Sequence, residues 1–144
     1  MLIKDIMSEN IVSLNTDDSI EKAAQMMRQY DIGAIPVCDD SHSLVGIITD
    51  RDITLNSVAL GANANEQKIC DYMTSNPVTG KPDMDIYDAI RLMSRHQIKR
   101  LPIVENNNLV GIVSLGDISQ EPILEDNAGV ALKNISEPGP NNRI

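Results

Sequence analysis

The sequence predicts an α/β fold made from two copies of one small motif. Two octapeptides give the first sign of this repeat, GIITDRDI at 46–53 and GIVSLGDI at 111–118. Each contains a glycine, two β-branched residues, a hydroxyl residue and, three positions later, an aspartate followed by isoleucine. Around both octapeptides, β-rich segments alternate with segments of helical periodicity, and that alternation is typical of an α/β chain.

The repeat extends over most of the 144 residues. A shift of 66 positions superimposes matching residues, among them the pairs Ile3 and Ile69, Asp5 and Asp71, Met7 and Met73, and Pro36 and Pro102. One residue is then lost in a polar turn, and a shift of 65 positions aligns Gly46 with Gly111. We therefore predict one copy at 1–66, a second at 67–122, a C-terminal helix at 123–136 and a disordered tail at 137–144.

Each copy is predicted to contain strand, helix, strand, strand and helix. In the first copy, NIVSL at 10–14 predicts a short strand, while AIPVC at 34–38 and LVGIIT at 44–49 predict a hairpin. Between them, Asp18 and Glu21 have the spacing of a capping box. The predicted helical stripes are Ile20, Ala23, Ala24 and Met27; Ile86, Ala89, Ile90 and Met93; and Leu124, Ala128, Ala131, Leu132 and Ile135.

One motif of this size is too small to cover a three-stranded sheet with its own two helices. The sequence therefore predicts that the two motifs pack together with pseudo-twofold symmetry. Since the only aromatic residues are three tyrosines, the core is expected to consist of Ile, Leu, Val, Met and Ala.

Composition narrows the classes of function. The net charge of −9 disfavours polyanions, and the shortage of aromatic rings disfavours base stacking, so we expect no nucleic-acid partner. No apolar run is long enough to span a bilayer, so we expect no membrane partner. Cys38 and Cys70 do not make a disulfide framework, in keeping with a cytoplasmic protein.

Catalytic signals are weak. His42 lies in a predicted turn and His96 near a predicted helix end, and neither has a nucleophile or a second ligand at a suitable spacing. No motif typical of zinc, nucleotide-phosphate or dinucleotide sites is found. We therefore predict a protein that is not an enzyme and has no metal site, no catalytic residue and no required cofactor.

The repeated hydroxyl and carboxylate residues have two explanations. Thr49 with Asp52, and Ser114 with Asp117, have the spacing of helix capping boxes. Alternatively, a carboxylate fixed in a first helical turn can accept two hydrogen bonds from a vicinal diol such as ribose. Gly46 and Gly111 are then expected to let the ring of a ligand approach the backbone closely. Neither explanation excludes the other.

The doubled motif, with a helix and a hairpin before each copy, resembles a CBS-domain pair, also called a Bateman module, over about residues 1–121. HQIKRLPIV at 96–104 resembles repeats of the AMP-activated protein kinase gamma subunit, and the first half resembles small stand-alone bacterial CBS-pair proteins. The resemblance implies an adenosine-type ligand whose ribose binds Asp52 or Asp117, with Thr49 or Ser114 beside the ribose or phosphate.

The resemblance also implies that Arg100 contacts phosphate, and Lys99 is expected to assist it. The first copy has Gly33 and Ala34 at these positions. Arg51 can either add a second positive charge or be an exposed helix residue. The expected function is sensing of AMP, ADP or ATP in the clefts between the two motifs, acting through a homodimer or a partner protein. The alternatives are a ligand-independent scaffold and a sensor of another adenosyl ligand such as S-adenosylmethionine.

Overall fold

The computed structural model describes residues 1–138 and divides into two compact units. Unit 1 contains GIVSLGDI and comprises Met1–Ile11, Val78–Asn106 and the chain from Val110 onward. Unit 2 contains GIITDRDI and comprises Val12–Pro77 with Asn107–Leu109. Most of the tail predicted to be disordered lies outside the described residues. The α/β class is confirmed, and the repeat boundaries at 66 and 122 stay a prediction.

Unit 2 is built on a four-stranded sheet. Its regular elements are β1 (Leu14–Asn15), α1 (Ile20–Tyr30), β2 (Ala34–Cys38), β3 (Leu44–Thr49), α2 (Asp50–Ile53, continued by a π-helical turn at Thr54–Val58) and β4 (Thr74–Ser75). The strand order is β1-β2-β3-β4, in which β1 is parallel to β2 and the other neighbours are antiparallel. The strand predicted at 10–14 is wrong except at Leu14, because β1 begins only there. A fourth strand joins the sheet because the segment after Ile69 returns to pair with β3.

Unit 1 repeats this arrangement around one hairpin. Its regular elements are α3 (Ile86–His96), β5 (Arg100–Glu105), β6 (Asn108–Ser114), α4 (Leu115–Ser119) and α5 (Glu125–Ile135). Isolated bridges flank the hairpin, a parallel one between Gly80 and Ile103 and an antiparallel one between Ser8 and Ile112. These bridges occupy the places that β1 and β4 hold in unit 2, so both units share one topology.

The start of α1 differs from the prediction. Its N-cap is Ser19, whose side chain accepts a hydrogen bond from the Lys22 N–H at 3.1 Å. Asp18 instead accepts from the Asn15 N–H at 2.8 Å, which closes the turn after β1. The predicted capping box of Asp18 and Glu21 is therefore wrong, because the Asp18 carboxylate is already used one turn earlier.

Each unit has its own core, and the residues of both cores are aliphatic, as the composition predicted. In unit 1 the fully buried residues come from both ends of the chain, and they include Ile3, Ile86, Met93, Leu101, Ile103, Ile118, Leu124 and Ile135. In unit 2 they include Ile20, Ala23, Ile35, Val37, Ile48 and Ile69. Two members of the predicted stripes, Ala24 and Leu132, are exposed and belong to neither core.

Candidate functional site

Both repeated aspartates close a capping box. In unit 2, Thr49 Oγ1 accepts from the Asp52 N–H at 3.2 Å, and Asp52 Oδ2 accepts from the Thr49 N–H at 2.9 Å. In unit 1, Ser114 Oγ accepts from the Asp117 N–H at 3.0 Å, and Asp117 Oδ2 accepts from the Ser114 N–H at 3.1 Å. The capping explanation is therefore confirmed for both copies.

Each cap uses only one oxygen of its carboxylate. Oδ2 takes the backbone hydrogen bond in both units, and within residues 1–138 no hydrogen bond reaches Oδ1 of either aspartate. Asp52 is half-buried and Asp117 is exposed. The capping bonds fix the orientation of each side chain and leave one acceptor oxygen for a ligand, so binding of a diol stays a compatible prediction.

A pocket of about 550 Å³ lies in unit 1 beside the second of these caps. Its lining residues are Lys99, Arg100, Ser114, Leu115, Gly116, Ser119, Glu125, Ala128, Gly129 and Leu132. Asp117 is not among the lining residues, although its cap partner Ser114 is. The volume falls within the range of roughly 300–1,000 Å³ that is usual for small-molecule sites.

The pocket carries charges of both signs. Lys99 and Arg100 are exposed where β5 begins, and Glu125 is the first residue of α5. None of the three forms an ion pair within the described part of the chain. Unpaired charges on a concave surface are available to a ligand, so the pocket can bind an anionic group while presenting one carboxylate nearby.

Glu125 was not predicted from the sequence, because the apolar stripe of α5 predicts core contacts and not a site. A signal was present, since Glu125, Ala128, Gly129 and Leu132 have the spacing of one helix face. All four line the pocket. The exposed Leu132, which is 47% accessible, thus belongs to the pocket wall and not to the core.

The position in unit 2 that corresponds to Leu115 of unit 1 carries a chemically different side chain. The Asp50 N–H donates to the Gly33 carbonyl at 2.9 Å, just as the Leu115 N–H donates to the Lys99 carbonyl at 2.8 Å. Asp50 Oδ2 lies 2.9 Å from the point that a Cβ atom on Gly33 would occupy. Unit 2 thus has a carboxylate where unit 1 has a leucine, and Arg51 beside it is exposed on α2.

The expectation for the motif glycines is wrong. A Cβ atom on Gly46 would lie 2.4 Å from Met73 Sδ and 2.9 Å from the Thr74 carbonyl oxygen. A Cβ atom on Gly111 would lie 2.6 Å from Met7 Sδ and 3.2 Å from the Ser8 carbonyl oxygen. The space beside each glycine is filled by the protein itself, so the glycines admit a neighbouring chain segment and not the ring of a ligand.

The structure thus separates the predicted site residues into two sets. Lys99, Arg100, Ser114 and Asp117 lie in unit 1, and Thr49, Arg51 and Asp52 lie in unit 2. Between residues 1 and 138, no group of three or more His, Cys, Asp or Glu side chains is arranged to hold a metal ion. No helix in that range combines the length and the apolar character needed to cross a membrane.

Two repeated units, each with a hydroxyl–aspartate capping box where its hairpin leads into a helix, define a tandem α/β module. The family model of the CBS domain matches this chain twice, at residues 3–58 and 69–123. The chain belongs to the CBS-domain family and forms a CBS pair, so the resemblance seen in its sequence is confirmed.

Similar proteins include the CBS domain-containing protein YhcV of Bacillus subtilis. It is 42% identical over 134 residues, which are 93% of this chain and 94% of that protein. A crystal structure of Hypoxic Response Protein I with two coordinated zinc ions is 31% identical, covers 84% of this chain and 98% of that one, and has a TM-score of 0.77. The CBS domain pair of protein MJ0100, crystallised with methylthioadenosine and S-adenosylmethionine, is 34% identical, covers 83% of this chain and 94% of that one, and has a TM-score of 0.72.

Proposed function

We propose that this CBS pair is a regulatory sensor of adenine nucleotides, with AMP, ADP and ATP as the candidate ligands. One observation carries the proposal: Lys99, Arg100 and Ser114 line a single pocket next to the capped Asp117. The two cations suit a phosphate, because charge-assisted hydrogen bonds are stronger than neutral ones. The free oxygen of Asp117 suits a ribose hydroxyl. The adenosyl ligands of the MJ0100 pair support the nucleoside part of this assignment.

The expected affinity follows from ligand size. AMP has about 23 non-hydrogen atoms, and about −0.3 kcal/mol per atom gives a binding free energy of about −7 kcal/mol. That free energy corresponds to a dissociation constant on the order of 10 μM. A site of this affinity responds to micromolar changes in free ligand, as a sensor requires.

A thermal-shift panel tests the proposal, because a ligand that binds only the folded state raises the melting temperature. The panel contains AMP, ADP, ATP, NAD, adenosine and S-adenosylmethionine, and calorimetry then measures each ligand that gives a shift. Stabilisation by the phosphorylated ligands above that by adenosine supports the proposal. No shift and no heat at millimolar concentration from any of them would favour the ligand-independent scaffold.

A second ligand class has its own supporting observation. Glu125 lines the same pocket as the two cations, and its carboxylate suits a positively charged group. S-adenosylmethionine carries a sulfonium, an ammonium and a carboxylate, so its charges match a pocket of mixed sign. Stabilisation by S-adenosylmethionine in preference to every nucleotide would assign the pocket to this class.

The output is proposed to pass through a homodimer or a regulated partner protein. Large apolar side chains are exposed on the helices of each unit, among them Val58 at 73% and Ile123 at 68% accessibility. Equilibrium sedimentation at micromolar protein tests the dimer, and a purely monomeric result would contradict it. The cytoplasmic address stays a prediction from the sequence.

A further inference from the structure

One wall of the unit 1 pocket comes from a helix that lies outside both CBS repeats. The second match to the CBS domain ends at residue 123, and α5 begins at Glu125. We infer that α5 selects the ligand of this pocket, with Gly129 as the residue that determines specificity and Gln97 as the residue that positions the helix. The inference rests on the proposed function and adds the element that decides which ligand fits.

The face of α5 toward the pocket carries a glycine that the fold does not require. Glu125, Ala128, Gly129 and Leu132 all line the pocket. A glycine inside a helix lowers stability relative to alanine, so its presence needs a reason. Gly129 has neither a positive φ nor any close packing contact, since nothing lies within 4 Å of its Cβ position. The missing side chain therefore serves the pocket, where a larger residue would take up room that a ligand uses.

The side of α5 away from the solvent is fixed against the core of unit 1. Ala128, Ala131 and Ile135 are at most 4% exposed, and together with Leu124 just before the helix they belong to that core. Close-packed interiors resist compression, so a helix seated in this way forms a firm wall. The placement of α5 against the rest of unit 1 thus sets the size of the pocket.

A side-chain contact ties the far end of α5 to the turn that precedes the two cations. Gln97 Nε2 donates to the carbonyl oxygens of Asn134 at 3.2 Å and Glu137 at 3.3 Å. Gln97 is the left-handed residue that ends α3, and it precedes Lys99 by two positions. One short turn therefore holds the end of α5 and also leads into the basic edge of the pocket.

Comparison with unit 2 indicates that this turn does not itself need a glutamine. Asp31 ends α1 with φ 54° and ψ 50°, and Gln97 ends α3 with φ 54° and ψ 46°. Aspartate and asparagine adopt the left-handed conformation more readily than other residues with a side chain. The glutamine is therefore explained by its reach to α5 and not by the turn.

The substitution Gly129→Leu tests the specificity wall. Leucine favours a helix more than glycine does, so the melting temperature without ligand should rise by about 2–4 °C. The new side chain should fill the pocket and lower AMP affinity about tenfold or more, which calorimetry measures. Val130→Leu is the matched control, since Val130 is 62% exposed on the same helix and does not line the pocket. It should leave AMP affinity within about twofold of the wild-type value.

The substitution Gln97→Asn tests the positioning residue. Asparagine suits the left-handed turn but is too short to reach α5, so the ligand-free melting temperature should stay within about 2 °C of the wild-type value. AMP and adenosine should both bind about threefold to tenfold more weakly, because the wall loses its hydrogen bonds. An equal loss for both ligands distinguishes Gln97 from a phosphate contact. Asp31→Asn makes the matching change in unit 2 and should alter neither affinity.

A rescue variant separates the hydrogen bonds to α5 from other effects at this position. Gln97→Lys restores a donor for the carbonyls at the end of the helix. Adenosine is uncharged, so the added charge has little effect on it, and its affinity should return to within about twofold of the wild-type value. A loss that Gln97→Lys does not repair would contradict the positioning role.

Binding by the wild-type protein separates these results from the function on which they rest. If AMP binds the wild-type protein, Gly129→Leu and Gln97→Asn equally well, the proposed function stands and the role of α5 is overturned. Failure of the wild-type protein to bind any adenine compound would overturn both. Amide hydrogen exchange gives a check without substitutions, since AMP should slow exchange within Glu125–Ile135. AMP binding without slower exchange in that helix would also overturn the inference.

Discussion

Ser114 and Asp117 hold each other through two reciprocal hydrogen bonds, with Ser114 Oγ 3.0 Å from the Asp117 amide nitrogen and Asp117 Oδ2 3.1 Å from the Ser114 amide nitrogen. The pair therefore has a structural role whether or not a ligand is present. Because Oδ1 takes no part in the cap, the same carboxylate can act on a ligand without losing its structural role.

The substitution Asp117→Asn separates the two roles. The amide oxygen of asparagine can still accept from the Ser114 N–H, so the free energy of unfolding should fall by only a few tenths of a kcal/mol. Hydrogen bonds to a charged group contribute about 1.5–3 kcal/mol each, so AMP should bind roughly tenfold or more weakly. Melting curves without ligand and calorimetry with AMP measure the two effects. A lowered melting temperature with intact AMP affinity would assign the carboxylate to the cap alone.

Arg100→Ala should distinguish the phosphate from the nucleoside. We expect AMP affinity to fall about tenfold, because a charge-assisted contact is lost, while adenosine affinity changes by less than about twofold. Isothermal titration with both ligands measures the difference. Arg95→Ala is the control, since Arg95 is an exposed arginine in the last turn of α3 and does not line the pocket. Equal losses for AMP and adenosine would mean that Arg100 does not contact the phosphate.

Glu125→Gln should act in opposite directions on affinity and on stability. Removal of the pocket carboxylate should strengthen AMP binding by about threefold to tenfold, since a like charge near the phosphate is lost. The same change removes an acid from the first turn of α5 and should cost about 0.3–1 kcal/mol of stability. Calorimetry and thermal unfolding measure the two quantities. Unchanged AMP affinity would place Glu125 outside the range of the phosphate.

Three glycine substitutions test the packing beside the motif strands. Gly46→Ala and Gly111→Ala should each lower the free energy of unfolding by about 1–3 kcal/mol, because the new methyl group meets a methionine sulfur at 2.4 or 2.6 Å. Gly129→Ala is the matched control, since Gly129 is exposed in the middle of α5 and nothing lies within 4 Å of its Cβ position. It should raise the free energy of unfolding by about 0.5–1 kcal/mol. Urea unfolding compares all three, and equal effects would show that the methionine contacts carry no strain.

The two cysteines should react at very different rates. Cys70 is exposed, whereas Cys38 is 4% exposed, and burial together with Asp39 raises the pKa of its thiol. A thiol reagent should therefore modify Cys70 at once and Cys38 only after unfolding. Rapid labelling of both in the folded protein would contradict this.

The raised pKa of Cys38 also gives a sign to the pH dependence. The folded state retains the thiol proton longer than the unfolded state, so this contribution to stability is complete below the ordinary pKa of 9.0 and is lost as the pH rises above it. The free energy of unfolding should fall in that alkaline range. Cys38→Val keeps an apolar side chain without a thiol proton and should show a smaller alkaline decrease than the wild-type protein.

Most local features of the fold were determined by the sequence alone, with the N-cap of α1 at Ser19 as the exception. The duplicated octapeptides predicted the two copies, and the spacing from Thr49 to Asp52 and from Ser114 to Asp117 predicted both caps. Such contacts span three residues, and within a helical turn that spacing fixes which groups can meet. The apolar stripe of α3 was predictable for the same reason, because helical periodicity places its members on one face, whereas in α1 the predicted member Ala24 is exposed.

Contacts between distant segments were decided only by the tertiary structure. The sequence assigns Thr74 to the second copy, yet it pairs with Ile47 in the sheet of unit 2, and Ser8 pairs with Ile112 in unit 1. Alternation of side chains identifies a strand but does not say which sheet it joins. The approach of Met73 to Gly46, the Asp50 carboxylate over Gly33 and the position of Glu125 at the pocket likewise depend on how separate elements pack, since residues far apart in the chain meet only once the chain has folded.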